Sequence, residues 1–124
     1  MRTSHPTLTP QELALMKILW RKGTATVRDV YEELRETRRV AYTTVMTMMN
    51  ILAAKGYVTR EKDARAFRYR ATEAEHTVVT SMVREFVNRV FDGASRPLLV
   101  HLSKDRKLTA RERRELRRLI EEAE

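Results

Sequence analysis

Residues 41–71 have the sequence AYTTVMTMMNILAAKGYVTREKDARAFRYRA, and the spacing of their apolar side chains changes at Gly56. Before this glycine, apolar residues recur every three or four positions, as on the buried face of an α-helix. These residues are Val45, Met48, Met49 and Leu52. After the glycine the pattern alternates, which is typical of two β-strands, at 57–62 and 66–71, joined by a short turn. We therefore predict one helix followed by a basic β-hairpin.

Two further helices are predicted before this stretch. Residues 9–12 (TPQE) place an N-cap threonine, a proline in the first turn and a glutamate three positions after the cap, which predicts a helix over residues 10–22. Thr26 is the predicted N-cap of a second helix, whose apolar residues recur at helical spacing as far as Leu34. With a short extended link between these two helices, the order of elements is that of a winged helix-turn-helix. Residues 7–72 are predicted to form this domain.

Helical patterns return after the hairpin. Residues 72–75 (TEAE) and 109–112 (TARE) each have the form of a capping box, and a short helix can begin at residues 95–97 (SRP). Residues 73–124 are therefore predicted to be a helical dimerisation region. The predicted fold class is mainly α with a small β wing, in which a winged helix-turn-helix precedes the helical region.

The charge of the 124-residue chain is uneven. The formal net charge is +8, and residues 1–72 hold 14 Lys and Arg against 7 Asp and Glu, whereas residues 73–124 hold 11 against 10. This asymmetry indicates a polyanionic partner for the first part. The absence of cysteine excludes disulfides and thiolate metal sites. Because the chain has no apolar run of 18 residues and no apolar segment at its beginning, we expect no membrane insertion and a cytoplasmic location.

The helix predicted before Gly56 has an outward strip suited to duplex DNA. Thr43, Met46, Thr47 and Asn50 share one face, and none of them is acidic. Threonine hydroxyls can bond bases or phosphates, methyl groups can contact thymine, and asparagine can pair with adenine. Two further candidates for DNA binding, at the helix N-terminus where backbone N–H groups favour a phosphate, are Tyr42 and Thr44. An ordinary solvated polar face is the alternative.

The hairpin supplies cations next to this helix. The residues predicted to bind DNA there are Arg60, Lys62, Arg65 and Arg68. The same charges would also deter aggregation of an exposed edge strand. Phe67 and Tyr69 share one strand face and are predicted to be core residues that cover the helix, and stacking on single-stranded nucleic acid is the alternative.

Several motifs resemble the penicillinase-repressor family (BlaI/MecI type), over roughly residues 7–124. They are Leu13 with Trp20, residues 26–30 (TVRDV), 41–47 (AYTTVMT), 55–58 (KGYV) and 65–69 (RAFRY). The resemblance implies a homodimeric winged-helix repressor on a palindromic double-stranded operator, often with a TACA/TGTA core. It also implies release from DNA when a membrane sensor protease triggers cleavage in the dimerisation part. The copper-responsive branch of the family carries Cys-x-Cys motifs, so copper sensing by that route is excluded here.

The helical region is more apolar than a small domain can cover by itself, which favours a partner surface. The predicted dimerisation residues are Val79, Met82, Val83, Phe86, Val87, Val90, Leu99, Leu102, Leu116, Leu119 and Ile120. Cover by the last two helices of the same chain is the alternative. In the β-lactam-responsive branch the cleaved bond is Asn-Phe, and the bond between His101 and Leu102 stands at the matching position, so it is the candidate cleavage bond.

The sequence contains no group of residues in a pattern typical of a catalytic site. The three histidines, at positions 5, 76 and 101, are isolated, and the chain has no glycine-rich phosphate loop and no cysteine nucleophile. We therefore predict no catalytic residue, no metal site and no cofactor. The predicted function is sequence-specific transcriptional repression by a homodimer. The alternative is a nucleic-acid or protein interaction module that binds duplex DNA non-specifically and has no regulatory protease.

Overall fold

The computed structural model describes residues 7–122, and this part of the chain contains six helices and three short strands. They are α1 Pro10–Lys22, β1 Thr24–Ala25, α2 Val27–Leu34, α3 Tyr42–Ala54, β2 Val58–Asp63, β3 Ala66–Ala71, α4 Glu75–Phe91, α5 Ser95–Ser103 and α6 Ala110–Glu122. The predicted fold class, mainly helical with a small β wing, is confirmed. No helix between residues 7 and 122 has the length and apolar content needed to cross a membrane. Residues 1–6, from which the absence of a signal sequence was inferred, lie outside the described residues.

Reciprocal capping fixes the beginnings of α1, α2 and α6. The Thr9 hydroxyl accepts a hydrogen bond from the Glu12 backbone N–H at 3.1 Å, and the Glu12 carboxylate accepts one from the Thr9 N–H at 2.9 Å. The same pair of bonds joins Thr109 to Glu112 at the start of α6, at 2.9 and 3.0 Å. Thr26 caps α2 in the same way. These predictions are confirmed because a capping box depends on residues three positions apart and not on tertiary packing.

The capping box predicted at residues 72–75 is wrong. Helix α4 begins at Glu75, and the Thr72 hydroxyl donates to the backbone carbonyls of Gly56 at 2.8 Å and Tyr57 at 3.2 Å. The Thr72 N–H also donates to the Tyr57 carbonyl, at 2.9 Å. Thr72 therefore ties the end of β3 to the turn after α3, and these tertiary acceptors are invisible to a local capping pattern.

Residues up to Val78 form the first of two compact units. Its core lies where α1, α2 and α3 meet, and its largest fully buried side chains are Leu15, Met16, Leu19, Met49, Leu52, Val30 and Val45. The predicted inner face of α3 is confirmed, because Val45, Met48, Met49 and Leu52 are all buried. The three strands form an antiparallel sheet in the order β1-β3-β2, so the β2–β3 hairpin, here called the wing, continues from the helical core.

Residues from Val79 form the second compact unit. Within it, α5 and α6 pack together, and the Arg113 guanidinium donates to the backbone carbonyls of Ser103, Asp105 and Leu108 at 3.0, 3.1 and 3.3 Å. These three bonds hold the loop between the two helices. The predicted domain boundary after residue 72 stays a prediction.

Candidate nucleic-acid interface

The outer face of α3 is polar, exposed and uncharged. Its residues Thr43, Met46, Thr47 and Asn50 are all exposed, while the opposite face of the helix is buried in the core. No residue from Tyr42 to Ala54 carries an ionisable acid or base that is charged at neutral pH. The helix therefore presents hydroxyl, methyl and amide groups without a negative charge that a phosphate backbone would repel.

The N-terminus of α3 differs from the capped starts of α1 and α2. Its N-cap, Ala41, makes no side-chain hydrogen bond, and its first turn contains no acidic residue. The first N–H groups of a helix have no partner within the helix, and together with the helix dipole they favour an anion. Tyr42 and Thr44 lie in this first turn, so the predicted position for a phosphate contact is structurally suited to one.

Arg28 adds a positive charge at the same place. Its guanidinium lies 5.2 Å from the centre of the Tyr42 ring, and the Tyr42 and Tyr31 rings form a T-shaped pair with 5.5 Å between ring centroids. The Arg28 side chain is 67% exposed and also pairs with Glu32 at 3.3 Å. Sequence reasoning missed Arg28, since its position beside α3 results from packing of α2 against α3 and not from spacing within either helix.

The wing separates the predicted cations onto two faces. Arg60 lies opposite Tyr69 and Lys62 opposite Phe67 in the antiparallel register, so these four residues share the face toward α3. Arg68 lies opposite Glu61 on the other face, because successive side chains of a strand alternate. The register therefore assigns Arg60 and Lys62 to one face of the wing and Arg68 to the other, although Lys62 and Arg68 line a common pocket.

The Arg68 side chain is already occupied within the chain. It pairs with Asp63 at 3.1 Å and lies 3.4 Å from the Thr24 hydroxyl. Arg65 instead lies in the turn of the wing, where the neighbouring Ala64 has a positive φ of 57°. The turn thus projects Arg65 beyond the last paired residues of the two strands.

The Phe67 prediction was wrong and the Tyr69 prediction is confirmed. Tyr69 is 2% exposed and belongs to the core, whereas Phe67 is 43% exposed. Phe67 lies two residues nearer the tip of the wing and carries the Arg60 guanidinium at 4.6 Å from its ring centre. Arg60 Nη1 also donates to Asn50 Oδ1 at 3.0 Å, and the Tyr69 hydroxyl donates to the same oxygen at 3.3 Å. Asn50 therefore connects the outer face of α3 to the wing.

A groove lies between α3, the beginning of α2 and the wing. Its lining includes Arg28, Arg60 and Arg65, and no acidic residue takes part in it. Tyr42, Met46, Asn50 and Phe67 also line it. Three arginines line this groove and no acidic residue does, although Glu32 outside it pairs with Arg28, so the groove suits a polyanionic chain.

The second unit exposes the apolar side chains predicted for dimerisation. Val83 and Val90 are each 50% exposed, and Phe86 is 40% exposed. Leu102 and Leu119 are also exposed large apolar residues, and the residues of intermediate burial are Val79, Met82, Leu99, Leu116 and Ile120. Val87 is buried within its own chain. Helices α5 and α6 have no buried residue in the described part of the chain.

The candidate cleavage bond lies inside a helix. His101 and Leu102 are exposed, but both belong to α5, which runs from Ser95 to Ser103. The His101 ring also contacts Phe91, with 5.8 Å between ring centroids, and Phe91 contacts Phe86 at 6.0 Å. The side chains are therefore accessible, whereas the backbone of this bond is held in helical hydrogen bonding.

Comparison with known proteins gives concordant matches. The family model described as penicillinase repressor matches residues 8–122. The transcriptional regulator BlaI of Mycobacterium tuberculosis is 37% identical over 115 residues, covering 91% of this chain and 82% of that protein. The penicillinase repressor of Bacillus licheniformis is 26% identical over 117 residues, covering 94% and 91%. A solution structure of the Bacillus licheniformis BlaI monomeric form in complex with the blaP half-operator is 29% identical, with a TM-score of 0.52, over 58% of this chain and 88% of that one.

Proposed function

This chain belongs to the penicillinase-repressor family, and from that premise we propose that it is a sequence-specific transcriptional repressor that binds a palindromic DNA operator as a homodimer. The family consists of transcriptional repressors, so the expectation that the chain is not an enzyme is confirmed. Double-stranded DNA is the proposed partner of the first compact unit.

The observation that carries the proposal is the uncharged outer face of α3 beside the groove with three arginines. An α-helix fits the major groove of B-DNA, where the side chains of its outer face meet base edges. In this arrangement Thr43, Met46, Thr47 and Asn50 face the bases. Phosphate contacts fix the position of the protein, and base contacts give specificity.

The phosphate contacts are proposed beside this face. Tyr42, Thr44 and Arg28 lie at the N-terminus of α3, and Arg60, Lys62 and Arg65 lie on or beside the wing. Arg68 stays a candidate DNA-binding residue, with its charge partly compensated by Asp63. Because Arg28, Arg60 and Arg65 line one groove beside the uncharged face, they can bind one phosphate backbone that borders the major groove.

The exposed apolar surface of the second unit supports the proposed homodimer. Val83, Phe86 and Val90 lie on one side of α4 and are all at least 40% exposed. Burying such a surface against a second copy gives a two-fold interface, which matches the symmetry of a palindromic site. The relative whose monomeric form was solved with a half-operator supports the view that one winged unit occupies one half-site.

We further propose that proteolysis in the dimerisation region releases the repressor from DNA, and that a membrane sensor protease triggers this cleavage. Cleavage between His101 and Leu102 would separate α6 from the preceding helices of the second unit. Because this bond lies within α5, we propose that α5 unwinds locally before cleavage. A chain that ends at His101 lacks four of the predicted dimerisation residues, Leu102, Leu116, Leu119 and Ile120. It is therefore expected to dimerise less well and to bind a full operator weakly, but to bind a half-site normally.

Selection of bound duplexes from a random library tests the function. We expect one enriched sequence with two inverted half-sites and a fixed spacing between them. Equal retention of all duplexes at matched salt would favour the alternative of a non-specific interaction module. Parallel binding to RNA and to single-stranded DNA is expected to be weaker, since neither offers the major groove of B-form DNA.

A further inference from the structure

We propose that Arg60 binds a DNA phosphate and that Asn50 is a positioning residue, which holds the Arg60 guanidinium in place for this contact. This inference rests on the proposed function and assigns separate roles within it. Asn50 would then act on DNA through Arg60, although it lies on the face of α3 that meets the bases.

The Asn50 carbonyl oxygen is already engaged. Asn50 Oδ1 accepts from Arg60 Nη1 at 3.0 Å and from the Tyr69 hydroxyl at 3.3 Å. An amide oxygen has two lone pairs, so these two donors use its accepting capacity. Recognition of adenine by asparagine needs that oxygen to accept from the base amino group while the amide nitrogen donates to the ring. Asn50 can make such a pair only after it releases a donor of the protein.

The Arg60 guanidinium is held from two directions. Asn50 fixes one of its terminal nitrogens, and the Phe67 ring lies 4.6 Å from its central carbon. Arginine has a long side chain with many rotamers, so restraint before binding reduces the entropy lost when the contact forms. The stack also gives a role to Phe67, a large aromatic residue that the core leaves 43% exposed.

The surroundings of Arg60 favour a phosphate as its ligand. Arg60 projects from β2 into the groove that Arg28 and Arg65 also line, and no acid lines that groove. Its position is lateral to the outer face of α3, where a border of the major groove would run. A guanidinium binds a phosphate through two parallel N–H groups, and its remaining N–H groups suffice for that contact after one is given to Asn50.

A double-mutant cycle tests the proposal. Arg60→Ala is expected to lower the affinity for the operator and for random duplex by the same factor, about tenfold. It is also expected to flatten the slope of log K against log salt by about one unit. Asn50→Ala is expected to lower the affinity for both duplexes by the same factor, which is smaller than that for Arg60→Ala. In the Arg60→Ala background, Asn50→Ala is expected to have no further effect on affinity.

Two further variants sharpen the test. Phe67→Leu keeps an apolar side chain but removes the ring, and it is expected to resemble Asn50→Ala. Thr47 lies on the same face of α3 as Asn50, whereas the Arg60 guanidinium donates to Asn50. Thr47→Val is therefore expected to change base preference, and its loss of affinity is expected to add to that of Arg60→Ala.

The opposite pattern overturns the inference. If Asn50→Ala changes preference at one base pair and its effect adds to that of Arg60→Ala, Asn50 is a base reader and not a positioning residue. If Arg60→Ala changes base preference and leaves the salt slope unaltered, Arg60 contacts a base. Either result leaves the proposed function intact, provided that the wild-type protein still prefers its operator over random duplex.

Discussion

Lys55 Nζ lies 2.8 Å from Glu12 Oε1 and 3.0 Å from Glu12 Oε2, so that an ion pair joins the end of α3 to the start of α1. The Glu12 side chain is 7% exposed and that of Lys55 is 23% exposed. Burial raises the pKa of Glu12, but hydrogen bonds from Lys55 and from the Thr9 backbone, with the charge of Lys55, outweigh burial and lower the pKa below its ordinary value of 4.5. The same carboxylate thus caps α1 and anchors the helix proposed to read DNA.

Acid is expected to weaken this anchor. A carboxylate whose pKa is lower in the folded state contributes stability above its unfolded-state pKa and loses it as pH falls through the folded-state pKa. The free energy of unfolding should therefore decline as pH falls below about 4.5. Glu12→Gln should cost about 1.5–3 kcal/mol at pH 7, which is typical of a hydrogen bond to a charged group. The free energy of unfolding of the Glu12→Gln variant should also depend less on pH below about 4.5 than that of the wild-type protein.

Urea unfolding at several pH values measures both effects. The matched control is Glu75→Gln, which removes the exposed ion pair with Lys17 and should change stability by less than about 1 kcal/mol. If Glu12→Gln and Glu75→Gln lower the free energy of unfolding equally at pH 7, the buried ion pair of Glu12 contributes no more stability than the exposed pair of Glu75.

Base readout by α3 is expected to depend on hydroxyl groups. Thr47→Val keeps the shape of the side chain and removes its hydrogen-bonding capacity, so it should reduce discrimination at one base pair by roughly 1 kcal/mol. Competition assays with operators altered one base pair at a time give the measurement. A uniform loss over all operators, without change in preference, would place Thr47 on the DNA backbone.

The turn of the wing and the face that carries Arg68 are expected to contribute unequally to DNA binding. Arg65→Ala should lower affinity for operator and random duplex alike and flatten the log K against log salt slope by about one unit. Arg68→Ala should change the slope less, because Asp63 already neutralises part of the Arg68 charge at 3.1 Å. Titrations at four or more salt concentrations measure these slopes, and a larger change for Arg68→Ala would show that the face with Arg68, and not the turn, contacts the phosphates.

The apolar side of α4 is expected to carry self-association. Phe86→Asp would place a charge in the proposed interface, where an unpaired charge is strongly unfavourable, and should give a monomer. Asn88→Asp adds the same charge to an exposed residue on the other side of the helix and should leave the dimer intact. Light scattering measures the mass, and unchanged circular dichroism would establish that the first unit stays folded. A dimeric Phe86→Asp protein would exclude this interface.

Local signals in the sequence predicted most of the fold. The capping boxes at Thr9 and Thr109 and the inner face of α3 depend on spacing within one element, and each is present in the structure. The outcome differs at Thr72 and Phe67, because the partners of these residues come from other elements. A strand pattern shows that Phe67 and Tyr69 share a face, but not how far along that face α3 extends.

In the candidate site, too, the sequence predicts features within one element but not contacts between elements. Periodicity selects the exposed face of α3, including Thr43 and Thr47, since it needs only the helical repeat. Arg28 beside Tyr42, and Asn50 beside Arg60, are products of the packing between elements. No spacing rule within one helix or strand contains that information.

The stoichiometry of the complex with DNA tests the central claim most directly. Mass measurement by sedimentation, with the protein titrated onto one full palindromic operator and onto one half-site, reports how many chains bind each duplex. We expect two chains on the full operator and one on the half-site, with much tighter binding to the full operator because joined units act at a high effective concentration. A single chain on the full operator, with the same affinity as for the half-site, would contradict the proposed homodimer.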